Sequence, residues 1–196
     1  MTEIADLIDE QHWLTFARCA PSAHHDERPA QEPIDLVVIH CVSLPEGQFG
    51  TGAPERLFLG ELDVAEDPSF ADLEGMQVAP HLLIDRAGEV VQFVPFDRRA
   101  WHAGVSCWQR RQSCNGFSIG IELEGDVASA YTLAQYQNLH KVLMTLCHNY
   151  PAIGVDRIVG HSEIAPGRKT DPGPFFDWQG LLTGLSDDIS QATDAD

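Results

Sequence analysis

Two histidines stand where apolar runs of the chain stop. His40 follows Leu-Val-Val-Ile and His161 follows Arg-Ile-Val-Gly, and ten residues beyond His161 a loop rich in glycine and proline carries Asp171. Because open α/β sheets place their ligands at the carboxyl ends of neighbouring strands, we expect these side chains to meet. Two histidines and one carboxylate form a regular zinc set with a fourth position open. The alternative is a pair of hydrogen-bonded structural histidines, since the spacing matches no metal motif.

Acid–base chemistry beside such a site needs a carboxylate, and the sequence offers two. Glu122 and Glu124 lie on the polar face of a predicted strand, residues 117–124, whose other face is apolar. Either glutamate could accept a proton from water and return it to a leaving amine, or both could simply be solvated. Lys169, two residues before Asp171, could stabilise a developing oxyanion or could be a surface lysine.

The chain is strongly acidic, with a formal net charge of -18. Such a surface repels nucleic acid and anionic membranes, so we expect neither as a partner, and no pattern predicts an obligate protein partner. The first residues show no basic segment followed by an apolar one, and the five cysteines form no CxxC pair. These features favour free thiols in a cytoplasmic protein.

The elements that must position these residues predict an α/β fold: a single domain with a mixed central β-sheet flanked by helices. Residues 34–40 predict a strand buried on both faces, with His40 at its carboxyl end. Residues 81–85 and 89–94 predict a β-hairpin. Leucines at helical spacing predict a long helix over residues 132–150, capped by Thr132.

The rest of the chain is less regular. We expect a short helix at residues 8–16 and another at residues 54–59, the latter inside a long segment, residues 43–77, that could form a lid or cleft wall. A last helix is expected at residues 175–185. The acidic tail, residues 186–196, has no basic residue and is expected to be disordered.

Four segments, residues 36–45, 88–104, 114–125 and 160–174, carry the motifs Ala100-Trp-His-Ala-Gly104 and Gly120-Ile-Glu-Leu-Glu-Gly125. Together they resemble the AmpD family, the cytosolic anhydromuramoyl-L-alanine amidases of bacterial wall recycling. The resemblance extends over about residues 13–178. It implies an amidase type 2 or peptidoglycan-recognition-like fold and a zinc amidase domain over residues 1–185. The implied substrate is an anhydro-muropeptide, cut between N-acetylmuramic acid and L-alanine.

Matched position by position, the resemblance assigns roles to the candidate residues. It implies one zinc ion per chain, held by His40, His161 and Asp171. Glu122 matches the catalytic glutamate, and Lys169 matches a lysine that stabilises the transition state. The second glutamate of the motif then has a structural role, as do two further histidines, which we expect to be hydrogen-bonded near the site (Glu124, His81 and His102).

The resemblance also implies residues that bind the substrate. Trp101 matches an aromatic residue that packs on the ligand, although an aromatic side chain at this turn could instead anchor the loop. Cys41 stands where the family has an asparagine, and Gln77 and Ser113 stand where it has arginines. Arg111, two residues before Ser113, could compensate. These departures leave the catalytic set intact and concern affinity and the choice of stem peptide.

Two other functions remain open at this point. One is a non-catalytic peptidoglycan-recognition module, for which the loss of a zinc ligand would be the sign. The other is an amidase that acts on the intact wall outside the cytoplasm.

Overall fold

The computed structural model describes residues 7–30 and 32–193, and its centre is a six-stranded sheet in the order β1-β5-β4-β9-β3-β10. Two further pairs, β2 with β6 and β7 with β8, lie outside that sheet. The strands are β1 (Arg18–Cys19), β2 (His25–Glu27), β3 (Leu36–Val42), β4 (Leu82–Ile84), β5 (Val90–Gln92), β6 (Arg98–Ala100), β7 (Cys107–Trp108), β8 (Arg111–Gln112), β9 (Ser118–Glu124) and β10 (Ile158–Gly160). The α-helices are α1 (Ala53–Leu59), α2 (Leu133–Asn149), α3 (His161–Ile164) and α4 (Trp178–Thr193).

The sheet is mixed, as the sequence predicts. Strands β4, β9, β3 and β10 are parallel neighbours, whereas β5 runs antiparallel to β4 and completes the predicted hairpin. Strand β3 lies between β9 and β10, which explains why its side chains are apolar on both faces. It extends two residues beyond His40, so that histidine lies inside the strand rather than at its end.

Helices α2 and α4 cover one face of the sheet. Odd-numbered residues of β3 and β9, such as Val37 and Ile121, pack there against Leu139 and Leu143 of α2 and Leu185 of α4. On the opposite face the cover is made of shorter pieces, including α1, and the even-numbered residues of β3 point to that side. His40 therefore faces away from the two long helices.

Helix α2 begins where the sequence predicts. The Thr132 hydroxyl accepts the Gln135 backbone N–H at 3.1 Å, and the Gln135 side-chain oxygen accepts the Thr132 N–H at 3.0 Å. This capping box satisfies two N–H groups that the first turn leaves without partners. The Gln135 amide also donates to the Ile84 and Glu124 carbonyls, which fixes the start of α2 to β4 and β9.

The prediction for the C-terminal region is wrong in part. Helix α4 starts later than expected, because the Asp177 carboxylate accepts the Gly180 N–H at 2.9 Å and caps it there. The helix then continues to Thr193 through residues for which disorder was expected. Ile189 extends the apolar stripe of Leu181 and Leu185 and packs on the core, which outweighs the acidic composition. Residues 194–196 lie outside the described residues.

The helix expected at residues 8–16 is also absent. A bridge between Ile8 and Leu14 closes a turn there, and the Asp9 carboxylate accepts the backbone N–H groups of Gln11 and Trp13 at 2.9 and 2.8 Å. An aspartate that captures nearby backbone N–H groups stabilises a turn at the expense of a helix.

The long segment at residues 43–77 contains the predicted short helix, α1, and two 3-10 turns, Val64–Glu66 and Pro68–Leu73. Asp63 and Asp67 cap these turns through their carboxylates, which accept the backbone N–H groups of Ala65 and Ser69. In the described part of the chain, no helix is both long and apolar enough to span a bilayer.

Candidate active site

Three neighbouring strands bring the candidate residues to one level of the sheet. His40 on β3 is the register partner of Glu122 on β9, and Ile39 is the partner of Gly160 on β10. Register partners on parallel strands point to the same face, so His40 and Glu122 leave the sheet together. His161 follows Gly160 directly and begins α3 beside His40.

The loop that carries Asp171 is fixed at two points. The Ser162 N–H donates to the Asp171 carbonyl at 3.0 Å, and the Tyr131 hydroxyl donates to the Pro172 carbonyl at 2.8 Å. The first bond holds the loop against α3, and the second holds it against the segment before α2. The Asp171 carboxylate is thereby aimed at the two histidines.

Three ligand atoms form a small triangle. His40 Nδ1 lies 2.8 Å from His161 Nδ1, and Asp171 Oδ2 lies 3.0 Å from His161 Nδ1 and 3.3 Å from His40 Nδ1. The His40 side chain is 1% exposed, and burial lowers the pKa of His40 to about 4, so its imidazole is neutral at physiological pH. A neutral imidazole offers one nitrogen lone pair to a metal.

This donor set fits zinc. Ligands placed about 2 Å from a tetrahedral ion are separated from one another by about 3.3 Å, close to the observed triangle. His161 Nε2 lies 3.1 Å from the Ala103 carbonyl and can only donate to it, which leaves the lone pair of Nδ1 facing the other two ligand atoms. Two imidazole nitrogens and a carboxylate oxygen are a ligand set that leaves a fourth position open.

The two glutamates of β9 have different environments. Glu122 Oε2 is buried without a hydrogen-bond partner, and burial, helped by the charge of Asp171, raises the pKa of Glu122 well above its ordinary value. A carboxyl group with a raised pKa holds a proton more readily than an exposed one, which suits a group that must both accept and donate a proton. Glu124 instead accepts the backbone N–H groups of Gly50 and Arg86 at 2.6 and 3.2 Å, which is the structural role that was expected.

Two adjoining hollows open over the triangle. The smaller, about 200 Å³, is lined by Trp101, Glu122, His161, Lys169 and Asp171 among others. The larger, about 450 Å³, shares Lys169 and Asp171, and part of its wall comes from the 43–77 segment. That segment is therefore a cleft wall, one of the two roles that its length predicts. The residues of this segment that line the larger hollow are Ser43, Leu44, Glu46, Ser69 and Leu73.

Comparison with known proteins places this geometry in a family. The sequence profile of the N-acetylmuramoyl-L-alanine amidase family (Amidase_2) matches residues 30–174, which include all three triangle residues and Glu122. The chain belongs to this amidase family. It is 54% identical over 184 residues to the 1,6-anhydro-N-acetylmuramyl-L-alanine amidase AmpD of Enterobacter cloacae, a match that covers 92% of this chain and 98% of that protein.

Solved structures agree with this amidase assignment. A crystal structure of a selenomethionine derivative of AmpD superposes with a TM-score of 0.87 at 52% identity, covering 91% of this chain and 98% of the other. The amidase AmiD of E. coli was solved in complex with the substrate anhydro-N-acetylmuramic acid-L-Ala-D-γ-Glu-L-Lys. It superposes with a TM-score of 0.58 at 31% identity, covering 81% of this chain and 61% of that one.

In this amidase the Trp101 ring is held on two sides. Its Nε1–H donates to Asp26 Oδ1 at 3.1 Å, and its face stacks on the His24 ring with the planes 12° apart. Trp101 thus forms a fixed part of the wall of the smaller hollow, which Glu122 also lines. A fixed, half-exposed indole can serve as a stacking surface for a ligand.

Arg111 has partners within the protein, and its expected contact with the substrate stays a prediction. Its Nη1 donates to Asp35 Oδ2 at 2.6 Å, and its guanidinium lies over the Phe117 ring. Asp35, the partner of Arg111, precedes β3 and lies five residues before His40, so about 16 Å of extended backbone separates the two. The nearly buried Asp35 carboxylate needs a cation, and Arg111 and Arg157 both supply one.

Two further histidines lie near the site, and both are hydrogen-bonded, as the sequence predicts. His81 Nδ1 accepts the Gly120 N–H at 3.0 Å, and His102 Nδ1 lies 2.8 Å from His40 Nε2. The sequence did not indicate that His102 contacts a candidate zinc ligand directly. It also gave no sign that Ala103, through its carbonyl, orients His161.

Proposed function

We propose that this amidase hydrolyses the bond between 1,6-anhydro-N-acetylmuramic acid and L-alanine in peptidoglycan fragments, using one zinc ion per chain, in cell-wall recycling. The observation that carries the proposal is the triangle of His40, His161 and Asp171 beside the unpartnered Glu122 Oε2. This chain matches several relatives over almost their whole length, and those proteins are named as 1,6-anhydro-N-acetylmuramyl-L-alanine amidases. Their names support the proposed substrate.

Zinc at this site would act as a Lewis acid, lowering the pKa of a water molecule and polarising the carbonyl under attack. His40, His161 and Asp171 would hold the ion, and the remaining steps fall to the other residues of the cleft. Trp101 would orient the ligand in the smaller hollow, where the scissile carbonyl must come within reach of Glu122.

Glu122 is proposed as the general base and then the general acid. Its Oε2 has no partner in the protein, so it is free to accept a proton from the attacking water. When the amide bond breaks, the same oxygen would return that proton to the departing L-alanine nitrogen. The products are the anhydro-sugar with a free lactyl carboxylate and the peptide with a free amino terminus.

Lys169 is proposed to stabilise the negative charge that develops on the carbonyl oxygen. It is exposed, lines both hollows, and its charge favours the ionised form of Glu122. A cation aimed at the developing oxyanion lowers the barrier without forming a bond.

The departures from the family pattern concern binding. Gln77 lies beside Met76 in the wall of a neighbouring hollow, where an arginine was expected from the resemblance. With Gln77 and Ser113 in place of arginines, peptide carboxylates should be held less firmly. Such contacts bind ground and transition states about equally, so we expect a raised KM more than a lowered kcat.

The substrate proposal is tested by digesting two materials with the purified chain. A defined anhydromuramoyl-tripeptide should release free peptide, as detected by mass spectrometry, and intact sacculi should release almost none. Efficient release from sacculi with poor turnover of the small fragment would identify a wall-acting amidase instead. Binding of the fragment without any cleavage, in zinc-loaded protein, would identify a recognition module. The cytoplasmic location expected from the sequence remains a prediction, which fractionation of the source cell would check.

A further inference from the structure

A chain of hydrogen bonds runs from the start of β9 to His40. The Ser118 hydroxyl donates to the Cys114 carbonyl at 2.7 Å, and Ser118 Oγ lies 3.2 Å from His102 Nε2. On the other side of the same ring, His102 Nδ1 lies 2.8 Å from His40 Nε2. Ser118 is fully buried and His40 is 1% exposed, so solvent does not compete for these groups.

The position of each proton follows from the first bond. A hydroxyl has one hydrogen, and the Cys114 carbonyl can only accept, so Ser118 has none left for His102. His102 Nε2 must then be the N–H that Ser118 Oγ accepts. A neutral imidazole has one donor and one acceptor nitrogen, so His102 Nδ1 has a lone pair and accepts the N–H of His40 Nε2. His40 Nδ1 is therefore left as a lone pair inside the triangle.

We infer that Ser118 and His102 are positioning residues that hold His40 in the tautomer whose Nδ1 faces the metal. This inference rests on the proposed zinc site, and it concerns how that site is prepared before zinc arrives. His161 receives its orientation directly from the Ala103 carbonyl, which can only accept. His40 has no such carbonyl, and since an imidazole can donate or accept, His102 alone leaves the choice open. The Ser118 hydroxyl and the Cys114 carbonyl remove that freedom.

The His102 ring is itself fixed in place. It lies over Gly120, where an added Cβ would come within 2.3 Å of His102 Cγ, so only glycine leaves room for the ring on that strand. The Asn115 side-chain oxygen accepts the backbone N–H groups of His102 and Ala103 at 3.2 and 2.8 Å. One asparagine thus positions both groups that orient the zinc ligands, the His102 ring and the Ala103 carbonyl.

The first test reads the tautomer directly in metal-free protein. Long-range proton–nitrogen NMR on imidazole-labelled chain should show the proton of His40 on Nε2 and the proton of His102 on Nε2. In Ser118→Ala, both rings should become mixtures of tautomers. Ser22→Ala is the matched control, because Ser22 is another buried serine whose hydroxyl donates to a carbonyl, that of Phe58. It should leave both rings unchanged.

The second test measures zinc affinity by competition with a chromophoric chelator. His102→Leu removes the acceptor and should weaken zinc binding about 10- to 100-fold, the usual effect of losing the partner of a metal-bound histidine. His102→Asn places an amide oxygen near the position of Nδ1 and should restore most of the affinity. The visible spectrum of cobalt-substituted protein should change in His102→Leu and return towards that of the parent in His102→Asn.

Two results would overturn the inference. One is a metal-free parent chain in which His40 already has its proton on Nδ1 or shows the same mixture as Ser118→Ala. The other is a folded His102→Leu that binds zinc as tightly as the parent. If His102→Leu fails to fold, the tautomers of the parent and of Ser118→Ala still decide whether the inference holds.

A parent that binds zinc with the expected tautomers but cuts no muropeptide would overturn the proposed function and leave this inference standing. A parent that binds no zinc would overturn both.

Discussion

His40 on β3 and Glu122 on β9 are direct partners in the parallel register of the central sheet. A proposed zinc ligand and the proposed proton carrier therefore project from adjacent strands on one face. Their separation is set by the hydrogen bonds of the sheet rather than by a loop, and sites on strands are held more precisely than sites on loops. The rest of the cleft, including Lys169, is supplied by loops that surround this rigid pair.

The two glutamates of β9 should separate catalysis from stability. Glu122→Gln removes the proton carrier and should lower kcat about a hundredfold to ten-thousandfold while zinc content stays at the parent level. Glu124→Gln leaves the cleft carboxyl intact, so its kcat should stay close to that of the parent. Because its amide has one oxygen for two backbone N–H donors, it should lose roughly 1–3 kcal/mol of stability. Equal losses of kcat in the two variants would show that the choice of Glu122 is wrong.

Glu122 should also make the stability of the metal-free protein depend on pH. Its pKa is raised in the folded chain, so above its ordinary value of 4.5 the unfolded chain releases a proton that the folded chain keeps. Stability from this group is present below that value and is lost as pH rises. Glu122→Gln cannot titrate, so chelator-treated variant and parent should melt together near pH 4 and diverge towards pH 8, with the variant more stable. A constant difference across this range would contradict the buried, unpartnered carboxyl.

Replacement of Lys169 tests the oxyanion role. Lys169→Ala should lower kcat by about a hundredfold or more, as expected for a lost oxyanion donor. The control is Lys141→Ala, since the Lys141 ammonium lies over the Phe16 ring and lines neither hollow. Steady-state kinetics on the anhydromuramoyl-tripeptide will distinguish the roles, because a change confined to KM would make Lys169 a substrate clamp.

Arg111 should affect stability alone. Arg111→Ala removes one of the two cations on the Asp35 carboxylate and should cost roughly 1 kcal/mol, reduced because the guanidinium is partly exposed. Arg157 still contacts Asp35, so the chain should fold normally. Urea unfolding will measure the loss, and kcat and KM should match those of the parent. A clear rise in KM with unchanged stability would return Arg111 to the substrate site.

The sequence predicts the parts of this structure that depend on periodicity and local chemistry. The buried strand before His40, the helix capped by Thr132 and the alternation along β9 all follow from spacing. The terminal regions were mispredicted because single contacts decide them: Asp9 captures backbone N–H groups, and Ile189 packs on the core. The ion pair of Arg111 with Asp35 was not predicted, because the two residues are distant in sequence and ion pairs of this kind leave no local pattern.

The candidate site likewise contains residues that the sequence predicts and contacts that it does not. His40, His161 and Asp171 could be proposed from strand ends and a loop, but spacing left the choice between Glu122 and Glu124 open. The distinction lies in tertiary contacts, because only Glu124 meets the backbone N–H groups of Gly50 and Arg86. The control of the His40 tautomer through Ser118 and His102 depends on the Cys114 carbonyl, which no side-chain pattern can indicate.

A zinc titration of metal-free chain tests the central claim most directly. Release of peptide from the anhydromuramoyl-tripeptide should rise linearly with added zinc and stop rising at one ion per chain. His40→Ala with His161→Ala should show neither zinc binding nor peptide release. His140→Ala, which breaks a surface histidine–carboxylate pair with Asp188, should titrate like the parent. Full activity in the chelated parent, or an unchanged titration in the double variant, would contradict the assignment of this site.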